Sequence, residues 1–529
     1  MPRGRRSVSD HYHTRTHRVL YTPFMRPLPR PVIDLLDLES AISAEATFRR
    51  DLLPEEPGWQ ALFSNQTAVA EWLRSQLQSA YLPSREVIIG ARKAGHGVRP
   101  VAVLQMLDRV IYRALVSQLI SGRPPTDRSA EEYLDFVLAP IMHAIESRSS
   151  IGSNAFSFAE SDTKYVVKTD ISAFYQYIDH EVLANELILQ TGKFDIVEAL
   201  IDFLSDIQGR KFGLPQQLYA SMELSEYYID IVERRMTREG YDVWRFNDDF
   251  RISATSYPHA LRAIDRVSAI AGELGMVINE QKTITPSFST YLMDNTDISV
   301  DDEVPTDIVA EDAVGDYLDA VDPDNLDVAR SRITGARPDS DAEIDIRKSN
   351  SDDVRALRRA LAAFRLAADP EVAEDSVRLI AYIAAITPDI IEYLVALNDS
   401  LVAGTTISQI ITNVSLNEWQ ELWIVDALRR MQLLDSRSTD ALDVRIEWVR
   451  NLILPGHSPL VRAHSFWALS NAGLVGVPEV ETAMRDAPSA LTSWYLSSLN
   501  ELIATADTRA QKIISAVKRD SRLGTWLLP

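Results

Sequence analysis

Three aspartates define the chemistry open to this chain. Asp170 follows the run Tyr165-Val166-Val167-Lys168-Thr169, and Asp248-Asp249 lies between Val243-Trp244-Arg245-Phe246 and Phe250-Arg251-Ile252-Ser253. These flanking runs read as strands, which puts Asp170 at a strand end and the pair at the tip of a hairpin. Carboxylates converging from neighbouring strands can hold divalent cations about 4 Å apart, as two-metal nucleotidyl transfer requires. Magnesium prefers oxygen ligands and takes one or two carboxylates per ion, with water and substrate phosphate completing the shell. Without a cation, three carboxylates this close raise one another's pKa by repulsion. The cluster therefore implies bound metal. An acidic pair alone decides little, because Asp301-Asp302, Glu311-Asp312 and Asp352-Asp353 also occur and each reads as a polar turn. Only Asp248-Asp249 is enclosed between two apolar strands.

The elements that must position these residues form an α+β pattern. Ala220 to Met236 has helical spacing, and a second helix runs from Tyr257 to Leu274, ending near Gly275. From Asp294 to Asp353 acids dominate, interrupted by Pro305, Pro323 and Pro338, which reads as a linker with short ordered pieces and a solvated charge run. Beyond it the chain reads as helical to its end. Val354, Leu357, Leu361 and Phe364 share one helix face, and Asp369-Pro370 separates that helix from another through Ile380 and Ile383. Asn417 and Gln420 fit a capping box before Leu422, Val425 and Leu428. Ser458-Pro459 supplies an N-cap and a first-turn proline, and Gly473 a stop. Successive amphipathic helices of about 15 residues predict a HEAT-like stack or, equally, an irregular bundle.

Composition sets the outer limits. The 529 residues exceed one ordinary core, and 46% hydrophobic with 25% charged residues is a globular balance. There is no cysteine, which excludes disulfides, thiolate metal sites and cysteine nucleophiles and fits a reducing cytoplasm. No stretch is apolar for long enough to cross a bilayer, and the Arg- and His-rich Met1 to Arg30 lacks the apolar core of a secretory signal. The net charge of −22 argues against a nucleic-acid enzyme until the chain is divided. Up to Thr290 there are 32 Lys+Arg against 37 Asp+Glu, leaving 22 against 39 for the remainder, so the net charges are −5 and −17. An electropositive groove is compatible with the first part, because affinity follows local charge.

Five segments in order resemble the motifs of reverse transcriptases. Gly97-Val98-Arg99-Pro100 with Asp108-Arg109-Val110-Ile111 resembles the fingers segment, and Asp170-Ile171-Ser172-Ala173-Phe174-Tyr175 resembles motif A. Gly213-Leu214-Pro215-Gln216-Gln217 with Ser221 is similar to motif B, Phe246-Asn247-Asp248-Asp249 to motif C, and Leu274 to Thr283 to motif D. The resemblance implies a division into a basic N-terminal segment (1–50), fingers and palm (51–295), an acidic linker (296–350) and a helical-repeat domain (351–529). It implies that Asp170 and Asp248 hold two magnesium ions, with manganese as a substitute, and that Asp249 supports them. Arg99 and Lys93 would hold the incoming triphosphate through charge-assisted hydrogen bonds, and Gln216 would lie against the nucleotide. Lys282 would protonate the leaving pyrophosphate; its alternative reading is a solvated loop charge. Tyr175, five residues after Asp170, stands where related RNA polymerases commonly carry a second aspartate for the ribose 2′-hydroxyl. An aromatic there favours dNTPs; its alternative reading is a core aromatic beside Phe174 and Tyr177. Gln217 replaces an expected glycine, Phe246 lacks the usual tyrosine hydroxyl, and no standard thumb follows motif D.

The architecture, a palm followed by helices with no nuclease, integrase or maturase region, is similar to the abortive-infection reverse transcriptases of bacterial antiviral defence. That resemblance implies a cytoplasmic homo-oligomer assembled through the helical domain, making DNA from dNTPs, in some members protein-primed and without an RNA template. Two other readings remain: a retron-like enzyme copying a dedicated non-coding RNA, and an idle palm serving as a nucleic-acid-binding scaffold.

Overall fold

Strands and helices of the first half form where apolar residues recur at the matching period. The computed structural model describes residues 27–79, 81–94, 97–123, 126, 128–146, 162–295, 326–397, 400–434 and 441–529. Residues 1–26 of the expected basic segment and 296–325 of the expected linker lie outside them. Val87–Arg92 (β1) and Val98–Val103 (β2) form an antiparallel hairpin, in register from Val87↔Val103 to Arg92↔Val98. Period-2 burial of Val87, Ile89 and Ala91 turns one face of β1 to the core and leaves Ile88 exposed. Met106–Ile120 (α1) follows and is buried along nearly its whole length.

The palm sheet comprises Tyr165–Asp170 (β3), Val243–Phe246 (β4) and Asp249–Ala254 (β5), ordered β3-β5-β4 and antiparallel throughout. Phe174–Tyr177 (α2) is a single helical turn after β3, and Tyr219–Arg238 (α3) leads towards β4. Ala220, Leu224, Tyr227, Tyr228, Val232 and Met236 fall on the buried face of α3. Tyr257–Glu273 (α4) packs on β3 and β5, starting where the Ser256 side chain accepts from the His259 amide. It ends before Gly275, whose φ of 76° admits the left-handed turn.

Leu326, inside the stretch expected as linker, begins a helix. Leu326–Gly335 (α5) buries Ala329 and Ile333 and packs on Ser351–Ala367 (α6). Thr387–Ala396 (α7), Glu418–Arg430 (α8), Pro459–Asn471 (α9), Thr492–Leu502 (α10) and Arg522–Leu527 (α11) then follow, each packed on the one before to continue a layer begun by α6. Asp375–Tyr382, Ser400–Asn413 and Ala441–Leu452 form a second layer in the same alternating way. The capping box at Asn417 and Gln420 is present, with Asn417 Oδ1 accepting from Gln420 N at 3.2 Å. Ser458 occupies the N-cap position of α9, but its side chain caps nothing.

The two halves share one apolar core. β1 lies against α8 and α9, and α11 against the helix Trp59–Ser64. Gly58 is required there: a Cβ would stand 2.8 Å from Leu527 Cδ2, and its φ is 104°. Ser493 Oγ donates to Glu56 Oε1 at 2.8 Å and Trp419 Nε1 to the Leu52 carbonyl at 2.6 Å. Glu56 also receives Arg109 Nη1 at 3.0 Å, so a buried ion pair at the foot of the fingers meets the helical half directly.

Candidate active site

Strand register brings the acids together. Asp170, the last residue of β3, pairs with Asp249, the first of β5, and Phe246 of β4 pairs with the same Asp249. Directly opposed residues of an antiparallel pair project from one face with Cβ atoms about 5 Å apart, so two like charges face each other at the sheet end. Asn247 and Asp248 form the two-residue turn, with Asn247 at φ 53°. Only Gly, Asn and Asp take that conformation readily, and its side chain donates back to Asp248 Oδ1 at 2.7 Å. The Ile171 amide donates to the Asp248 carbonyl at 3.2 Å, tying the turn to the end of β3.

The segment 276–284 lines the other edge of β3. Ser172 N donates to Val277 O and Asn279 N to Asp170 O, both at 2.8 Å, and Thr169 Oγ1 meets Thr283 Oγ1 at 2.8 Å. This placement brings Lys282 Nζ to 2.7 Å from Asp170 Oδ2. Loss of water and the Asp170 charge push the Asp248 carboxyl up, while loss of water and the Asp248 charge push Asp249 up to about 7. Desolvation opposes the Lys282 charge, but the bond to Asp170 and the three carboxylates hold its ammonium above the usual lysine range. Lys282 is bonded to Asp170, and Arg251 and Arg128 add positive charge near Asp249 and Asp248 without offsetting the burial and repulsion there. The site is short of positive charge.

Asp170 Oδ1 is buried without a hydrogen-bond partner, an orphan acceptor open to a cation. Among the described residues no group of three or more His, Asp or Glu could hold a metal ion as placed. The donor set nevertheless fits magnesium, which needs one or two protein carboxylates per ion. Asp170, which carries the orphan oxygen, and Asp248, whose carboxyl feels the Asp170 charge, offer such a pair, and Lys282 supplies local counter-charge at Asp170.

Around the acids the backbone is held in uncommon conformations. Ala173 (φ 51°), Gln217 (φ 65°) and Asn247 (φ 53°) are three of the five non-glycine residues with positive φ among the described residues. They fall one each in the segments carrying Tyr175, Gln216 and Asp248. For Ala173 and Gln217 such conformations cost about 1–3 kcal/mol each, whereas asparagine adopts them readily, and they cluster at functional sites. The Leu214 amide donates to the Tyr175 carbonyl at 2.8 Å, so Gln216, half-buried in the loop before α3, is joined to the α2 turn. Arg50 Nε donates to the Gln217 carbonyl at 3.0 Å, and its Nη2 to the Ala102 carbonyl of β2. Lys93 and Arg99 sit on the β1–β2 hairpin, a separate sheet from the carboxylates, with Lys93 N donating to Gly97 O at 3.0 Å.

Sequence reasoning missed a buried ionic network behind the site. Arg128 Nη1 donates to the Tyr175 hydroxyl at 3.1 Å and Nη2 to Glu226 Oε1 at 2.9 Å. Glu226 Oε2 accepts from Arg245 Nη1 at 2.7 Å, and that nitrogen also donates to the Asn247 carbonyl at 3.0 Å. Arg245 Nε reaches Glu233 Oε2 at 2.8 Å. The one available signal was Arg245 itself, a charge inside an otherwise apolar strand. Arg128 offered none.

Residues 91–292 match the family described as Reverse transcriptase (RNA-dependent DNA polymerase). No curated protein matches the chain. Among solved structures, telomerase from Candida tropicalis in complex with a TWJ fragment of telomeric RNA is 12% identical over 74% of this chain and 68% of its own, with a TM-score of 0.30. The Candida albicans telomerase complex with the same kind of fragment is 12% identical over 70% and 65%, TM-score 0.30. Apo telomerase from Candida tropicalis is 13% identical over 69% and 68%, TM-score 0.32. The matched segment runs from the end of β1 through the whole palm sheet and the Lys282 loop, so the chain carries a reverse transcriptase domain followed by a helical region. It is by that domain an RNA-directed DNA polymerase, a nucleotidyltransferase. No helix among the described residues is long and apolar enough to cross a membrane.

Proposed function

We propose that the sheet end of Asp170, Asp248 and Asp249 joins deoxynucleotides by two-metal nucleotidyl transfer. The carrying observation is the register: Asp170 faces Asp249 across β3 and β5, with Lys282 bonded to Asp170. Magnesium or manganese held by Asp170 and Asp248, with Asp249 in support, would neutralise the triphosphate and sharpen the attacking hydroxyl. Lys282 gives its proton to the departing pyrophosphate in this reading, which its protonated state beside Asp170 supports. Arg99 and Lys93 approach the triphosphate from the fingers, Gln216 abuts the base or sugar, and Tyr175 excludes a 2′-hydroxyl.

The biological setting we infer is cytoplasmic antiviral defence of the abortive-infection kind, with homo-oligomers built through the helical half. What supports it is architecture: alternating two-layer helices consistent with HEAT-like repeats, and an excess of acid there that makes this half a poor phosphate surface. Priming from a protein hydroxyl, without a template, belongs to the same reading.

Purified protein with magnesium and each labelled dNTP, with and without added template, should yield labelled DNA. A denaturing gel then reports whether label stays with the polypeptide. The double variant Asp248→Asn, Asp249→Asn should abolish incorporation; label that persists in it would remove the site assignment.

A further inference from the structure

We infer that Arg128 is a positioning residue for sugar discrimination, anchoring the Tyr175 ring through its hydroxyl. The inference rests on the polymerase reading above and adds to it a residue that no motif contains.

Tyr175 needs an anchor. It stands on α2, a single turn of four residues entered through left-handed Ala173, and its backbone alone holds the side chain loosely. Its ring is half-buried and packs edge-on to Phe174 at 5.4 Å between centroids. Fixed contacts occur at the far end: Arg128 Nη1 at 3.1 Å and Ser225 Oγ at 3.2 Å from the phenol oxygen. A steric filter against one hydroxyl group works only if the ring stays within about 0.5 Å of its place.

Arg128 is itself immobilised. It is 7% exposed, and Nη2 addresses Glu226 Oε1 at 2.9 Å, Ser225 Oγ at 3.3 Å and the Met222 carbonyl at 3.5 Å. With its fork turned inward on α3, it is not available to bind a substrate phosphate. Glu226 is shared with Arg245, which donates to the carbonyl of Asn247 beside Asp248. The chain Tyr175–Arg128–Glu226–Arg245–Asn247 therefore references the sugar-facing ring to the carboxylate turn. Lysine cannot replace this fork, because a point charge cannot address Tyr175 and Glu226 in one plane.

The test measures kcat/KM for a dNTP and its matching rNTP in wild type, Tyr175→Phe, Arg128→Met, Arg128→Lys and the Tyr175→Phe, Arg128→Met double variant, with thermal melting of each. Tyr175→Phe keeps the ring and the Arg128–Glu226 pair, so it reads the hydroxyl anchor even if Arg128→Met fails to fold. The expected result is a dNTP/rNTP preference reduced roughly tenfold or more in Tyr175→Phe and in Arg128→Met, the scale of one charge-assisted hydrogen bond. The double variant should show no greater loss of preference than the single ones, since both remove the same Arg128–Tyr175 bond, and Arg128→Lys should fall between. An unchanged preference in Tyr175→Phe, or losses that multiply in the double variant, overturns the inference while leaving the polymerase reading intact. A wild type that incorporates no dNTP overturns the polymerase reading, and this inference with it.

Discussion

The end of the palm sheet and the interior of the helical half both bury charge, and they do so in opposite ways. At the sheet end three carboxylates cluster with Lys282 bonded to Asp170, Asp170 keeps an orphan oxygen, and the neighbouring backbone is strained at Ala173 and Gln217. Between α8 and α9, Asp426 is answered from several sides. Arg429 Nη2 lies at 3.0 Å, Arg430 Nη1 at 3.5 Å and His464 Nε2 at 3.3 Å, and Trp494 Nε1 donates to His464 Nδ1 at 3.2 Å. Asp426 is held down at about 2, against burial, by His464 and Arg429, whereas Asp249 is driven up to about 7. Charge left unbalanced at a strand end marks a place reserved for a ligand. Charge answered from several sides inside a helix stack marks a structural joint.

This contrast is broken most forcefully by Asp170→Asn. Incorporation should fall by at least about 10³-fold, because a metal-holding carboxylate is lost. Stability should hold or rise, since the change removes a like charge opposite Asp249 and gives up only a lysine pair whose 60% exposed partner contributes little. Assays run beside thermal melts would decide it: a melting temperature lowered by several degrees with incorporation retained would make Asp170 a structural residue.

Asp426→Ala should show the reverse, a loss of about 3 kcal/mol read by urea unfolding, since two arginines lose a buried partner. Acid should expose the same joint. The Trp494 N–H occupies the His464 Nδ1 lone pair, and burial keeps the ring neutral, its pKa below the ordinary value of 6.5. Because the folded protein refuses a proton that the unfolded chain accepts, stability is complete above pH 6.5 and declines below it. Asp426, depressed from 3.8 to about 2, adds stability present above pH 4 and lost as pH falls towards 2, of order 2 kcal/mol. Melting temperature followed from pH 8 to 2 should fall in two steps in wild type; in Asp426→Asn the lower step should vanish, and its survival there would assign it to other acids.

How much of this was legible in sequence follows the range of the interactions. The Asn417–Gln420 capping box is decided within one helical turn, and it stands as read. The strands flanking Asp248 and the helix faces of α3 and α6 follow from periodicity, because burial repeats with the pitch of the element. Arg128 was invisible, because its partners Tyr175 and Glu226 lie 47 and 98 positions away and nothing local betrays the pairing. The docking of Ser493 on Glu56 spans 437 positions and was equally hidden. Ser458 shows a local rule failing: it occupies the cap position with the right residue type, yet its hydroxyl makes no cap bond.

Gln217 was legible as a departure and illegible in its consequence. It stands where a glycine is expected; in the fold it bears φ 65°, its Oε1 is buried without a partner, and its carbonyl accepts from Arg50. A glycine would keep that carbonyl bond. Gln217→Gly should therefore relieve left-handed strain of about 1–2 kcal/mol and an unmet acceptor of similar size. Against this stands the greater freedom of glycine in the unfolded chain, of about 1 kcal/mol. The expected net gain is about 1–3 kcal/mol by urea unfolding, and it is the sharpest test of the comparison. A glycine variant that is less stable would show that the side chain holds the loop, and that strain near the carboxylates is balanced locally in the manner of Asp426.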